Sequence, residues 1–118
     1  MRAIRKGLLL VVVLACTVPV YADKHSDAKA EVEFGISVAQ KGLWKEAIFR
    51  WQKAVEIDPE YAQAWNDLAI AYEQMGKFDE ARKAYETAMR LEPNNNFIHE
   101  NYTSFRDVYD RQNRRSRK

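Results

Sequence analysis

The sequence has few of the residues that reactive or cross-linked sites need. Its 118 residues include one cysteine, two histidines, four glycines and three prolines. The single cysteine, Cys16, excludes an intramolecular disulfide and a cysteine-based metal site. The two histidines, His25 and His99, are far apart, and there is no H-x-x-x-H pair, glycine-rich phosphate loop or nucleophile motif. We therefore expect no enzyme activity, no catalytic residues, no cofactor and no metal ion.

The charge is distributed unevenly along the chain. The formal net charge is +2, but residues 23–110 hold 11 Lys and Arg against 17 Asp and Glu, a net charge of −6. The last eight residues carry five cations and no carboxylate. The sequence thus predicts an acidic body followed by a basic tail at 112–118.

The first 22 residues are typical of a secretory signal peptide. Three basic residues lie within the first six, residues 8–15 are uninterrupted apolar residues, and a small-residue cleavage pattern ends at Ala22. The apolar stretch is shorter than the roughly 20 residues that a membrane-spanning helix needs. We expect cleavage after Ala22 and export to a bacterial periplasm or cell envelope. Lipid attachment at Cys16 is the less favoured alternative, because bulky Leu14 fits a lipoprotein cleavage site poorly.

The body of the chain repeats with a period of 34 residues. When residues 28–61 are aligned with residues 62–95, nine of the 34 positions are identical. The identical pairs are Ala28/Ala62, Ala30/Ala64, Ile36/Ile70, Gln40/Gln74, Gly42/Gly76, Glu46/Glu80, Ala47/Ala81, Ala54/Ala88 and Pro59/Pro93. Apolar residues at helical spacing flank Gly42 and Gly76, which favours two helices joined by a glycine turn in each unit. We predict an all-α fold with two helix-turn-helix repeats, 28–61 and 62–95, after a short lead-in at 23–27.

The second unit resembles the tetratricopeptide repeat, whose pattern is W-x₂-L-G-x₂-Y, A-x₃-F and P over 34 residues. The matching residues are Trp65, Leu68, Tyr72, Ala81 and Pro93, while Ala69 stands in place of the glycine and Tyr85 in place of the phenylalanine. The first unit departs further, with Glu31 where the family has tryptophan and Val38 where it has tyrosine. The resemblance implies an α-solenoid whose first helices line a groove that binds a peptide or helix of a partner protein.

Residues 96–111 begin a third unit that has no second helix. Their apolar residues at helical spacing are Phe97, Ile98, Tyr102, Phe105, Val108 and Tyr109. A terminal helix that covers the open face of the last repeat keeps a stacked array soluble. We therefore predict a capping helix over 96–111.

The resemblance places eleven side chains of the first helices in the partner-binding groove. They are Lys29, Val32, Glu33, Ile36, Gln63, Asn66, Asp67, Ile70, Phe97, Glu100 and Asn101. Ile36 and Ile70 hold equivalent positions and either face the groove or fill contacts between the units. Because acidic and neutral residues dominate this set, it fits a peptide with apolar anchors and some positive charge. It does not support the clamp of Lys, Arg and Asn that part of the family uses for a terminal carboxylate.

Two alternatives to groove binding stay open at this stage. The tail cations Arg111, Arg114, Arg115, Arg117 and Lys118 favour contact with an anionic membrane surface; nucleic acid is a less accessible partner for an exported protein. The same tail can also be a disordered end that only keeps the domain soluble. Phe49, which helical spacing directs away from the packed face, suggests a homodimer that buries either Phe49 or the aromatic capping helix, since stable arrays normally have at least three repeats.

Overall fold

The computed structural model describes residues 20–118, and that part of the chain forms five α-helices and no strand. The helices are α1 (Val20–Ala39), α2 (Trp44–Ile57), α3 (Ala62–Gln74), α4 (Phe78–Leu91) and α5 (Asn96–Ser116). Each helix packs on the one that follows it in the chain. The predicted all-α solenoid of two helical pairs and a capping helix is confirmed.

Helix α1 begins earlier than the first repeat was expected to begin. The predicted signal peptide and Cys16 lie outside the described residues, except that 20–22 form the first turn of α1. The lead-in 23–27 is helical too, and it contacts the connection between α2 and α3: His25 Nδ1 lies 3.1 Å from Asp58 Oδ2, and its ring centroid lies 4.9 Å from that of Tyr61. Within this part of the chain, no helix has both the length and the apolar character of a membrane span.

The two glycine turns have the same backbone. Gly42 and Gly76 have φ angles of 76° and 70°, in the left-handed region that glycine adopts without a steric penalty. In each turn the next residue donates its amide back to the preceding helix, from Leu43 to Val38 O at 3.1 Å and from Lys77 to Tyr72 O at 2.8 Å. The predicted turns are therefore confirmed, and equivalent residues of the two repeats make the same backbone hydrogen bond.

Small and large side chains alternate where the helices of each pair cross. Ala47 and Ala81 are completely buried, and Trp51 and Tyr85, the large residues next to them, are 3% and 1% exposed. An alanine allows two backbones to approach, and the neighbouring ring fills the remaining space. Both repeats thus build their cores in the same way.

The closest approach within the first repeat is at Gly35. A Cβ atom there would lie 2.3 Å from Trp51 Nε1. The indole is held in place because Nε1 also donates to Val32 O at 3.2 Å. Glycine is therefore required at position 35 by the position of the tryptophan ring.

Helix α5 covers the last repeat with an aromatic cluster. Phe105 is completely buried, and its ring centroid lies 5.2 Å from Tyr85, 5.6 Å from Tyr109 and 6.4 Å from Phe78. The cluster accounts for the many aromatic residues of the predicted cap, since they pack against α4. The helix starts at Asn95, whose Oδ1 accepts hydrogen bonds from two backbone amides of the first turn.

The predicted boundary between the capping helix and the basic tail was wrong. Helix α5 continues to Ser116, five residues beyond the predicted end at 111, so most of the basic tail is helical. No glycine or proline interrupts residues 96–118, and two arginines support the added turns. Arg111 Nε donates to Asp107 O at 2.9 Å, and Arg114 Nε donates to Asp110 O at 3.2 Å. Both contacts join an arginine side chain to a backbone carbonyl one turn earlier in the helix.

Candidate functional site: a groove along the first helices

The candidate groove contains a shallow apolar hollow between α1 and α3. Its volume is about 230 Å³. It is lined by Ile36, Ala39, Gln40, Trp44, Trp51, Asp67 and Ile70, and we call this set the groove hollow. Three of the eleven residues predicted for the groove, Ile36, Asp67 and Ile70, thus lie together.

Ile36 and Ile70 have both of the roles that the sequence left open, facing the groove and packing within the array. Both are half-buried. Ile36 packs against the core of the first repeat and Ile70 against the core of the second, while both also line the groove hollow. Each side chain therefore contributes one side to packing and leaves the other accessible from the groove.

Two predicted groove residues are structural. Val32 and Asn66 are each 1% exposed, so neither can contact a partner in this conformation. Val32 belongs to the core of the first repeat. Asn66 lies between α3 and α5, where its Oδ1 accepts a hydrogen bond of 3.1 Å from Asn101 Nδ2. The resemblance misplaced both residues because a repeat pattern gives the face of a helix but not how closely the next helix approaches that face.

The remaining predicted groove residues do not line the hollow. Lys29, Glu33, Gln63, Phe97 and Glu100 are exposed, and Asn101 is half-buried by its contact with Asn66. They are accessible on their helices, and their contact with a partner stays a prediction.

Asp67 is the polar group of the groove hollow. Its Oδ1 accepts a long hydrogen bond of 3.4 Å from Asn66 Nδ2, and its buried Oδ2 has no hydrogen-bond partner among residues 20–118. Burial raises the pKa of Asp67 to about 6, against the opposing effect of hydrogen bonds from Asn66 and Gln63. The carboxylate is thus only partly satisfied within the chain.

The repeat explains why Asp67 lacks a hydrogen bond from the preceding first helix. The bond from Asn101 to Asn66 joins α5 to α3. Moving both positions back by 34 residues gives Asp67 and Val32. Valine has no polar side-chain atom, so the equivalent bond between α3 and α1 cannot form.

Sequence reasoning missed Trp44 as a lining residue. It lies at the start of α2 and contributes to the groove hollow. Its aromatic character at the position equivalent to Phe78 was visible in the sequence. The signal was ambiguous because an aromatic residue at a helix start equally indicates packing, which is the role of Phe78 beside Phe105.

The tail cations are exposed along the end of α5 and beyond it. Arg114 and Arg117 share a small recess with Asp110 and Asn113. Arg111, Arg115 and Lys118 do not line that recess. Among residues 20–118, no three His, Cys, Asp or Glu side chains come together as a metal site.

Comparison with known proteins agrees with the observed architecture. A model of the tetratricopeptide repeat matches residues 62–95, and a second model of this repeat matches residues 38–76. An uncharacterized protein of Methanocaldococcus jannaschii is 32% identical over 78 residues, which cover 64% of this chain and 88% of that protein. The chloroplastic tetratricopeptide repeat domain-containing protein PYG7 of Arabidopsis thaliana is 30% identical over 73 residues. Those residues cover 62% of this chain but only 24% of PYG7.

Similar repeats occur in solved structures and in enzymes. The C-terminal domain of a Plasmodium falciparum FK506-binding protein, which contains these repeats, superposes with a TM-score of 0.71 at 19% identity. The match covers 88% of this chain and 70% of that domain, and it shows the fold alone. Three other matched relatives are named as transferases, and the chain covers 7–8% of each. Tetratricopeptide repeats are typically interaction scaffolds without catalysis. This chain has two such repeats followed by a capping helix, and it belongs to the tetratricopeptide repeat family.

Proposed function

We propose that this protein is a non-enzymatic interaction module that holds a short segment of a partner protein against α1 and α3. The observation that carries the proposal is the groove hollow, where Ile36 of one repeat and Ile70 of the next expose apolar surface side by side. Apolar side chains that stay accessible between repeated units are typical of a docking surface.

The size of the groove hollow favours a side chain of a partner over a small molecule. Its volume of about 230 Å³ lies below the ~300–1,000 Å³ typical of small-molecule sites, and it is open to the surface. A partner's aliphatic or aromatic side chain is the matching ligand.

Asp67 adds a preference for hydrogen-bond donors. A Lys, an Arg or a backbone amide beside the apolar anchor would supply the donor that Asp67 lacks, after a rotation of the carboxylate. The net charge of −6 over residues 23–110 favours the same chemistry at longer range. The proposed ligand is therefore an apolar segment with positive charge near its anchor.

The test is capture of the native partner by the full-length chain, followed by substitution in the groove hollow. We expect Ile36→Lys with Ile70→Lys to abolish capture, because two charges would occupy the apolar surface. Thr103→Lys with Ser104→Lys is the charge-matched control, since both residues are exposed on α5 and neither lines the hollow. Unchanged capture by the double variant, with normal helicity by circular dichroism, would contradict the proposal.

We also propose export through the signal peptide to a bacterial periplasm or envelope. The basic start, short apolar run and cleavage pattern ending at Ala22 support it. Mass spectrometry of the protein from an envelope fraction should find Asp23 as the amino-terminal residue. A lipidated Cys16 at the amino terminus, or an unprocessed chain, would show that the proposal is wrong.

The arginines at the end of α5 support a second candidate function, contact with an anionic lipid surface. Arg114 and Arg117 open onto one recess, which brings two cations together. Binding to vesicles of anionic lipid should weaken steeply with salt, and Arg114→Glu with Arg117→Glu should abolish it. Lys24→Glu with Lys83→Glu is the control with the same change of charge, because both lysines are exposed and lie on other helices. If both double variants bind equally, the tail is not the contact.

A further inference from the structure

Each repeat has a notch where its glycine turn faces the end of the next first helix. The first notch is lined by Gly42, Leu43, Trp44, Lys45, Glu46 and Met75, with a volume of about 670 Å³. The residues 34 positions later line the second notch, of about 440 Å³, together with three residues near the end of α5. The molecule therefore contains two versions of one surface feature.

The two notches differ in chemistry. Where the first has Leu43 and Met75, the second has Lys77 and Tyr109. Tyr109 is engaged within the chain, since its hydroxyl donates to Asp79 Oδ1 at 3.1 Å. The first notch is thus apolar and open, whereas the second is polar and partly filled by α5.

The fold does not require leucine at position 43. The amides of Leu43 and Lys77 make equivalent bonds to the preceding helix, and their carbonyls accept equivalent bonds from Ala47 and Ala81. The Leu43 side chain is 53% exposed. A lone exposed leucine has little meaning, but this one adjoins Trp44 and Met75 on a single surface.

Trp44 connects the first notch to the groove hollow. It lines both features. The apolar surface therefore runs without interruption from Ile36 and Ile70, over Trp44, to Leu43 and Met75. A bound segment that follows this surface leaves the groove at the first turn.

The charge around the first notch is positive. Lys41 and Lys45 are both exposed, and neither has an ion-pair partner in the described part of the chain. The nearby carboxylate of Glu46 is already paired, because Arg50 Nε donates to it at 3.0 Å. An acidic flank on a ligand would complement this edge.

From these observations we infer that the partner segment passes over Trp44 and inserts an apolar side chain, flanked by carboxylates, into the first notch. The inference rests on the proposed function and extends it. The ligand has a donor-rich part in the groove hollow and an acidic, apolar part at the turn. The opposite charges of the two parts fix the direction in which the segment lies.

The test uses the full-length chain with ¹³C-labelled methionine methyl groups. Met75 lines the first notch, whereas Met89 packs beside Ala88 and Ile98 in a different cluster, so Met89 is an internal reference. The probes are three synthetic peptides with a central leucine flanked by Glu, Lys or Ser. We expect the Glu-flanked peptide to shift the Met75 signal, to leave Met89 unchanged, and to bind about tenfold or more tightly than the Lys-flanked peptide.

Substitutions then locate the contact. Leu43→Ser removes the apolar side chain without adding a charge and should weaken binding of the Glu-flanked peptide about tenfold or more, as expected for loss of a buried leucine contact. Thr103→Ala, an uncharged substitution at an exposed position of α5, should have no effect. The inference is overturned by an unshifted Met75, by equal binding of Glu- and Lys-flanked peptides, by unchanged binding to the Leu43→Ser variant, or by Met75 shifts with anionic vesicles alone.

Failure of the groove is distinguishable from failure of the notch. If capture of the native partner is lost in the Ile36→Lys, Ile70→Lys variant but kept in Leu43→Ser, the groove function stands and the notch inference is wrong. If capture depends on Leu43 alone while the groove variant behaves normally, the groove function is wrong.

Discussion

At the scale of single residues, the packing of α1 on α2 depends on the absence of a side chain at Gly35. Gly35→Ala would gain ~1 kcal/mol of helix propensity, but it forces a methyl group into the fixed indole of Trp51. Overpacking of this kind costs ~1–3 kcal/mol, so we expect a net loss of stability of at most about 2 kcal/mol. Urea unfolding followed by tryptophan fluorescence measures the change.

The control for this prediction is Ser37→Ala, two residues later in α1 at an exposed position. It also raises helix propensity but introduces no contact, so its stability should be equal or slightly higher than that of the unmodified chain. A Gly35→Ala variant as stable as Ser37→Ala would show that the Trp51 ring can move aside.

Because the pKa of Asp67 is raised, we expect the free energy of unfolding to decrease as the pH rises. Burial raises its pKa to about 6 from an ordinary value of 3.8, so between these values the folded chain binds more protons than the unfolded chain. Stability contributed by this group is complete below pH ~4 and falls as the pH rises through ~6. Asp67→Asn removes the buried charge and should be more stable than the unmodified chain at pH 7, by about 1–3 kcal/mol.

The measurement is urea unfolding at pH 4.5 and pH 7. The Asp67→Asn variant should lose most of its advantage at the lower pH, whereas Asp27→Asn, at an exposed position of α1, should gain nothing at either pH. An advantage of Asp67→Asn that does not depend on pH would mean that Asp67 is not the titrating group.

Residue positions were partly predictable from sequence. The family resemblance placed Ile36, Asp67 and Ile70 in the groove, and the structure brings these three together. The same resemblance put Val32 and Asn66 in the groove, although both are buried. Burial depends on how closely neighbouring helices approach, and for Asn66 on a hydrogen bond to a residue 35 positions away.

At the scale of elements, the aromatic cluster between α5 and the second repeat is centred on the buried ring of Phe105. Phe105→Ala would remove the centre of the aromatic cluster, and large-to-small changes of this type cost ~3–5 kcal/mol. Because small domains have only ~5–15 kcal/mol of total stability, we expect the thermal midpoint to fall sharply or cooperative unfolding to disappear. Circular dichroism against temperature checks this.

Phe97→Ala is the matched control for α5, since Phe97 lies on the same helix but is 60% exposed. Its midpoint should stay nearly unchanged. If the two variants melt alike, α5 does not stabilise the repeats and is only attached to them.

The sequence predicted the helix boundaries correctly where a glycine ends a helix. The prediction failed at the end of α5, where no glycine or proline marks the boundary. Gly42 and Gly76 marked both turns correctly. The predicted end of α5 at 111 came from the onset of positive charge, but charge alone does not break a helix. Bonds from arginines to backbone carbonyls one turn earlier instead support the helix to Ser116.

At the scale of the whole molecule, the first repeat has an uncovered outer face. Phe34 and Phe49 are 46% and 54% exposed, and the Arg50 guanidinium lies 4.2 Å and 5.4 Å from their ring centroids. The exposure of Phe49 that helical spacing predicted is confirmed, and this face is the surface that the homodimer hypothesis requires.

The homodimer hypothesis predicts a sedimentation coefficient that rises with protein concentration. Phe49→Lys should abolish the rise by placing a charge opposite its own symmetry mate. Phe97→Lys, an equally apolar exposed position at the other end of the solenoid, should leave it unchanged. A chain that sediments as a monomer at every concentration would contradict the hypothesis.

The hydrogen bond between Asn66 and Asn101 has a consequence for the evolution of longer arrays. An in-frame duplication of residues 62–95 would place a copy of Asp67 opposite the original Asn66, and the copied Asn66 opposite Asn101. The new junction would then join a carboxylate and an amide, which can hydrogen bond. The chain can therefore lengthen by whole repeats without creating another unsatisfied carboxylate, whereas duplication of residues 28–61 would reproduce the valine that leaves one.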